Sequence, residues 1–254
     1  MEANFVQLLR HATLLLQLDG KRLLVDPMLS AKAQLDPVAN CGNDKRIPMV
    51  DLPIDKNQLS ELLKNVDAVL VTHIHRDHWD VAAQKLIPPD TKIFCQPVDA
   101  PAIAHQGFVN VMGVEKQTLW NGWHIFRTKG HHGTGEIEVK MGTVSGFVVS
   151  KGNTRIYIAG DTIWCDEVAD ALHLYRPSHV VLNAGGARFL TGDPITMTPD
   201  DVVKVGLASP QSKVMAVHMD TVNHCFVTRA LLKEQLAGAG VDVLIPADGE
   251  KILT

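Results

Sequence analysis

His73-Ile74-His75-Arg76-Asp77-His78 packs four potential metal ligands into six residues, directly after the apolar run Ala68-Val69-Leu70-Val71-Thr72. The apolar run reads as a buried strand. At a strand's carboxyl end the chain turns outward, so side chains there can converge on one point. Imidazole nitrogen and carboxylate oxygen are the donors that zinc, manganese and iron accept. A single histidine in a polar loop would mean little. Three histidines and an aspartate at this density behind a buried strand point to a metal centre.

Outward from this stretch, short apolar runs alternate with helical patterns. Phe5–Arg10 and Thr13–Leu18 read as strands, and Asp19-Gly20 as the hairpin turn before Arg22–Val25. Residues 30–55 carry Pro37, Pro48, Pro53, Asn40, Gly42 and Asn43 without a period, which predicts a long irregular loop of the kind that often carries function. A helix is expected over Asp55–Asn65, and Asp80 is placed to cap another over Val81–Leu86. Further strands are read at Lys92–Cys95, Val109–Met112, His124–Thr128, Gly146–Ser150, Arg155–Ala159, Val180–Asn183, Lys213–Val217 and Val241–Ile245. Helices are read at Asp166–Tyr175, from Thr198-Pro199, and over Thr228–Leu236. The order implies an α/β protein with mixed sheets and external helices, forming one domain over residues 1–254. Two echoes suggest related halves packed face to face. Val69–His73 resembles Val214–His218, and Arg22–Asp26 resembles Arg155–Asp161.

Composition narrows the classes. The 254 residues carry 24 Lys+Arg against 28 Asp+Glu, a formal net charge of −4, with no basic block. This leaves no electrostatic footprint for nucleic acid. No apolar run approaches the roughly 20 residues of a membrane span, so no membrane association is expected. Met1-Glu2-Ala3-Asn4-Phe5 lacks the basic and apolar regions of a secretory leader. Cys41, Cys95, Cys165 and Cys225 lie far apart with no CxxC pair, as expected of reduced thiols in a cytoplasmic protein.

The pattern His73-x-His75-x-Asp77-His78 resembles the HxHxDH signature of the metallo-β-lactamase superfamily. His11-Ala12-Thr13, Gly20–Asp26-Pro27, Gly160-Asp161-Thr162 and His218 follow the family's order over nearly the whole chain. Within the superfamily the sequence looks most like the branch that includes the ascorbate-6-phosphate lactonase. The resemblance implies a four-layer αββα sandwich with two divalent metal ions, zinc or manganese, with iron also compatible. One ion would be held by His73, His75 and a histidine from Gly130-His131-His132-Gly133. Gly133 permits close backbone approach and favours His132, which leaves His131 as a neighbour of the site or of the substrate. The second ion would be held by Asp77, His78 and His218, with Asp161 bridging and Thr162 placed to bond its second oxygen. Asp26 would support the histidine loop through hydrogen bonds. Asp77 could also take up a proton, and His224 could contact substrate or act as an acid. His11, His105, His124, His173 and His179 read as structural.

Two divalent ions, two aspartates and a bridging hydroxide sum to about +1, a site suited to anionic or ester substrates. The expected reaction is hydrolysis of a small cytosolic ester, lactone or phosphodiester by a metal-bridging hydroxide. Substrate contacts are sought in Lys45 and Arg46 of the long loop, in Trp79 as an apolar wall, and in Arg188 of the Gly185-Gly186 turn. The resemblance disfavours redox diiron chemistry, because His75 stands where the flavodiiron branch has glutamate. A nuclease-type phosphodiesterase and a metal-stabilised, non-catalytic binding protein are the alternatives. The sequence leaves self-association into a homo-oligomer open.

Overall fold

The computed structural model describes residues 3–254. Met1 and Glu2, the first residues of the stretch read as lacking a leader, lie outside the described residues. In chain order the elements are β1 (Phe5–Arg10), β2 (Thr13–Leu18), β3 (Lys21–Val25), α1 (Lys56–Lys64), β4 (Ala68–Val71), α2 (Val81–Leu86), β5 (Lys92–Cys95), α3 (Ala100–His105), β6 (Val111–Gly113), β7 (Gln117–Trp120), β8 (Trp123–Lys129), α4 (Gly135–Met141), β9 (Ser145–Lys151), β10 (Thr154–Ile158), α5 (Asp166–Tyr175), β11 (His179–Asn183), α6 (Pro199–Ala208), β12 (Lys213–Val217), α7 (Arg229–Gln235), β13 (Val243–Leu244) and β14 (Lys251–Leu253).

The strands form two seven-stranded sheets, ordered β14-β1-β2-β3-β4-β5-β6 and β13-β12-β11-β10-β9-β8-β7. Side-chain alternation along each central strand divides the apolar residues between two faces. Ala68 and Leu70 of β4 face the other sheet, whereas Val69 and Val71 face outward. In β12, Met215 and Val217 face inward and Val214 and Ala216 face outward. The inner faces meet around Leu16, Phe94, Phe147 and Ile156. Helices α1, α2 and α3 cover one sheet through Leu59, Ala83 and Ile103, and α5, α6 and α7 cover the other through Val168, Val202 and Leu232. The result is the expected αββα sandwich.

The two sheets repeat one pattern. β2–β3 and β9–β10 are antiparallel hairpins, and β3-β4-β5-β6 and β10-β11-β12-β13 continue as parallel strands. The echo between Arg22–Asp26 and Arg155–Asp161 therefore joins true counterparts, β3 and β10. The other echo is corrected: β4 corresponds by pairing to β11, while β12 corresponds to β5. Several elements carried too little pattern to be read. They include β7 and β14, which run along sheet edges, α3, and α4, which buries no residue. β13 pairs over two residues only, shorter than Val241–Ile245.

The long segment before α1 is irregular, fastened by the Leu35–Ile47 bridge. It packs Met28 and Ile47 against Val222, and Asn223 bonds Val38 and Asn43. The segment is thus tied to the chain just beyond β12. No helix among the described residues is long and apolar enough to cross a membrane.

Phe147→Ala opens a cavity between the sheets and is expected to cost about 3–5 kcal/mol. Thr198 accepts a hydrogen bond from the Asp201 backbone N–H and Asp201 bonds back to the Thr198 N–H, so Thr198→Ala is expected to cost about 1 kcal/mol. Both are read as shifts of the urea unfolding midpoint at unchanged slope.

Candidate metal centre

The carboxyl ends of the parallel strands in both sheets point to one edge of the sandwich. β4 delivers Thr72 and His73, with His75, Asp77 and His78 in the loop that follows. β10 delivers Asp161, β11 delivers Asn183, and β12 delivers His218. His132 comes from the segment between β8 and α4. His73, Asp77, His78, His132, Asp161 and His218 are all buried, and His75 is half-buried.

The ring nitrogens fall into two groups. His73, His75 and His132 each offer a ligand atom within 4.8 Å of the others, and His11, Asp77, His78 and His218 do the same. Asp161 lies between the groups. Its Oδ2 is 3.9 Å from His73 Nε2, 3.5 Å from His132 Nε2 and 3.2 Å from His78 Nε2, while Oδ1 is 3.2 Å from His218 Nε2. Asp77 Oδ2 is 3.8 Å from Nε2 of both His78 and His218.

The outward nitrogens decide the chemistry of the inward ones. His75 Nε2–H donates to the Met141 carbonyl at 3.0 Å, and His132 Nδ1–H donates to the Ile195 carbonyl at 2.7 Å. His78 Nδ1–H donates to Asp26 Oδ2 at 2.9 Å. A neutral ring that donates outward turns a bare lone pair inward. His78 Nε2 nevertheless faces His218 Nε2 at 3.2 Å, and His73 Nε2 faces His75 Nδ1 at 3.0 Å. Lone pairs and two carboxylates converging in this way fit divalent cations of the zinc, manganese or iron type.

Titration follows the same geometry. Burial holds the His73 ring well below its ordinary pKa, aided by the neighbouring His78 and His75. Burial also disfavours charge on Asp77, but His78 and His11 outweigh it and keep its carboxyl well below the usual range. Asp161 is likewise held low against burial, by His218 and His78. His78 is raised against burial by Asp161, Asp77 and Asp26.

Supporting contacts lie just behind. Asp26 accepts from the Thr72 N–H and the Thr72 hydroxyl, both at 2.7 Å, as well as from His78. The backbones of His11, Asp26 and His218 have φ of 59°, 42° and 70°, the left-handed region that costs a side-chain-bearing residue energy. Gly185 lets the β11 and β12 ends meet. A Cβ there would sit 2.2 Å from the His218 carbonyl oxygen.

Several sequence expectations change. His11 is not a remote structural residue. Its Nε2–H donates to Asp77 Oδ2 at 3.2 Å, its ring lies 3.7 Å from that of His218, and burial lowers its pKa to about 3. The available signal was a histidine in a tight hairpin, where Asn or Gly is the usual residue. Asn183 was also missed. Its amide donates to Asp161 Oδ1 at 2.6 Å, the bond assigned to Thr162. The Thr162 hydroxyl instead donates to the Ile163 carbonyl and accepts from the His131 N–H. His131 turns away from the centre, toward Glu138 and Glu167. Trp79 is no wall of the site: it is buried on the outer face of the first sheet against Phe108, with its indole N–H bonded to Gln106. Arg46 does not reach over the centre. It is held within its own loop by Asp36 and the carbonyls of Ala33 and Gln34. Arg188 is exposed and lies over the Phe226 ring, while its backbone N–H bonds the His224 carbonyl.

His224 is buried beside Phe189, and its Nδ1 has no hydrogen-bond partner. Burial lowers its pKa to about 4, against an attraction to Asp77. A ring held neutral in this way can share a hydrogen bond with a ligand.

Comparison with known proteins follows the same lines. Residues 21–219 match the beta-lactamase superfamily domain. The UPF0173 protein YddR of Bacillus subtilis is 35% identical over 253 residues, covering 97% of this chain and 98% of its own. The crystal structure of a possible metal-dependent hydrolase from Veillonella parvula superposes with a TM-score of 0.94 at 33% identity, covering all of both chains. An isothiocyanate hydrolase from Delia radicum gut bacteria superposes with a TM-score of 0.91 at 38% identity, covering 99% of each. The two-sheet sandwich with a His/Asp cluster at its strand ends is shared with these metal-dependent hydrolases. This chain belongs to the metallo-β-lactamase superfamily.

The depressed pKa of His224 gives a signed prediction. Between pH 6.5 and about 4 the unfolded chain takes up a proton that the native ring refuses. This residue's contribution is therefore complete above pH 6.5 and is lost as pH falls, by about 3 kcal/mol in full. In metal-free protein, His224→Gln is expected to lose stability less steeply than the native chain over that range. Parallel stability curves from urea titrations would contradict it.

Proposed function

We propose that the protein is a dinuclear metal-dependent hydrolase of a small cytosolic molecule. His73, His75 and His132 would hold one divalent ion and Asp77, His78 and His218 the other, with Asp161 between them. The observation that supports this reading is the set of inward ring nitrogens aimed by outward hydrogen bonds, above all His75 Nδ1 facing His73 Nε2 while the Met141 carbonyl holds the far side of the His75 ring. Zinc, manganese or iron held there would activate a water and polarise the bond being cleaved.

The chain's own residues supply orientation. Asp26 fixes the tautomer and angle of His78, and the Met141 and Ile195 carbonyls do so for His75 and His132. His11 and Asn183 each donate to one aspartate, leaving its remaining lone pairs for the centre. Asp77, charged and buried, can take up a proton as bonds rearrange. His224 offers a neutral ring nitrogen to a substrate oxygen or nitrogen. A cavity of about 160 Å³ beside His73 and His75 is bordered by Ile74, Val98 and Met141, and by the polar Gln96 and Asp99. It suits a short substituent on a small ester, lactone or phosphodiester.

A second substrate reading rests on the 38% identity to the isothiocyanate hydrolase. The isothiocyanate carbon is an electrophile between nitrogen and sulfur. Attack by water there would yield, in balance, an amine and carbonyl sulfide, and the apolar border of the side cavity accommodates a hydrocarbon substituent.

Protein purified without added metal is expected to carry about two divalent ions per chain by elemental analysis, and His73→Ala to lose at least one. Against a panel of lactones, esters, phosphodiesters and isothiocyanates, turnover by one class is expected to fall about 10²–10⁴-fold in Asp77→Asn. Absence of metal would refute the reading. Bound metal with no turnover of any class would instead favour a metal-stabilised binding protein.

A further inference from the structure

A second cluster of ligating side chains lies outside the centre. His131 Nε2 is 3.1 Å from Glu167 Oε2, and the Cys165 Sγ completes a set whose members all lie within 4.8 Å of one another. The other ring nitrogen of His131 bonds Glu138. All of these side chains reach solvent in part.

We infer that His131, Cys165 and Glu167 form an auxiliary site for a third, borderline-soft divalent ion of the zinc class. The donor set is imidazole, thiolate and carboxylate, which zinc binds with short bonds. In a tetrahedral zinc shell neighbouring donors stand about 3.5 Å apart, so the three require only a small contraction. Glu138 plays the part that carboxylates take behind metal-bound histidines. By accepting the Nδ1 proton it fixes the ring so that Nε2 points at Glu167, 3.1 Å away, where an ion would replace the Nε2 proton. Partial exposure supplies an entry path and leaves the fourth position to water. Binding releases the Cys165 thiol proton and the His131 Nε2 proton to solvent.

The placement also says what the ion does. His131 precedes His132, and Thr162 follows Asp161. The two segments are stitched together by the His131 N–H to the Thr162 hydroxyl at 2.9 Å and the Ile163 N–H to the His131 carbonyl at 2.9 Å. Glu138 lies on α4, whose last residue, Met141, holds His75. Cys165 and Glu167 lie at the start of α5. An ion here ties α4, which buries no side chain of its own, to α5. It braces the segments that carry His132 and Asp161. The site is independent of the centre itself, since no donor is shared.

Cobalt substitution tests this. A thiolate bound to cobalt(II) gives a charge-transfer band in the near ultraviolet that imidazole and carboxylate do not. Native protein titrated with cobalt is expected to show the band and to bind one equivalent more than Cys165→Ser or His131→Ala, both of which lose the band. Cys225→Ser is expected to keep it, because the Cys225 thiol bonds the outward nitrogen of His218 and is no member of the His131, Cys165 and Glu167 cluster. His73→Ala is expected to keep it even as metal leaves the centre, which separates this site from the dinuclear reading. Glu138→Gln, folded as judged by circular dichroism, is expected to bind the band-forming equivalent about 10–100-fold more weakly. No band in the native chain, a band that survives Cys165→Ser, or equal stoichiometry in native and variant protein overturns the inference.

Discussion

Lone pairs that face one another are costly, and in this protein several are held buried within a few ångströms. Each is held there by a hydrogen bond on the far side of its ring. Asp26 bonds His78, the Ile195 carbonyl bonds His132, and the Met141 carbonyl bonds His75. Without these anchors the rings could rotate and pair with one another or with solvent. With them, His75 and His132 turn bare nitrogens inward, the inward nitrogen of His78 holds a proton beside Asp161 that a cation would replace, and the site is preorganised for cations. Much of the local architecture serves those anchors. Asp26 sits at the end of β3, where it can also take both Thr72 donors, and so locks the histidine loop to its own sheet.

The duplicated sheet pattern explains why the centre lies where it does. Parallel strands of both halves end at the same edge, so β4 and β10–β12 send their following residues toward one volume. Asp26 directly follows β3, whereas Asp161 lies two residues beyond the equivalent position after β10, Ala159, and their surroundings differ. Asp26 accepts from Thr72 and His78 Nδ1 and faces the back of the site. Asp161 lies among His73, His78, His132 and His218 Nε2 atoms. The segments that follow equivalent strands thus supply a support in one half and a central carboxylate in the other. The left-handed backbones of His11, Asp26 and His218 mark where the chain is bent to achieve this. Such strain persists only where surrounding contacts hold it.

Much of the fold was legible because its central strands are uniformly apolar and its turns carry Asp-Gly and Gly-Asn pairs. Edge strands β7 and β14 and helix α4 escaped, since half-exposed edges and a helix without a buried face carry no periodic signal. In the site, the dense motif from His73 to His78 was visible as residues. Asp26, His132, Asp161 and His218 stand out only through the resemblance to the family's order of motifs. His11 and Asn183 were not, because a lone histidine in a hairpin and a lone asparagine at a strand end have no spacing to mark them. Trp79 was misplaced for the opposite reason. Adjacency to His78 suggested a shared environment, but in a loop entering a helix the next residue points elsewhere, here into the outer core with Phe108.

The sequence alone determined the alternation of strands and helices and the types of donor available, because periodicity and residue chemistry are local properties. Tertiary structure decided which nitrogen of each ring faces inward and whether His131 or His132 turns toward the centre. It also decided that His224 is buried and neutral, and that Asn183 rather than Thr162 holds Asp161. Those outcomes depend on hydrogen-bond partners such as Ile195, which lies 63 residues from His132. Distances of that kind are set by packing, and no local pattern encodes them.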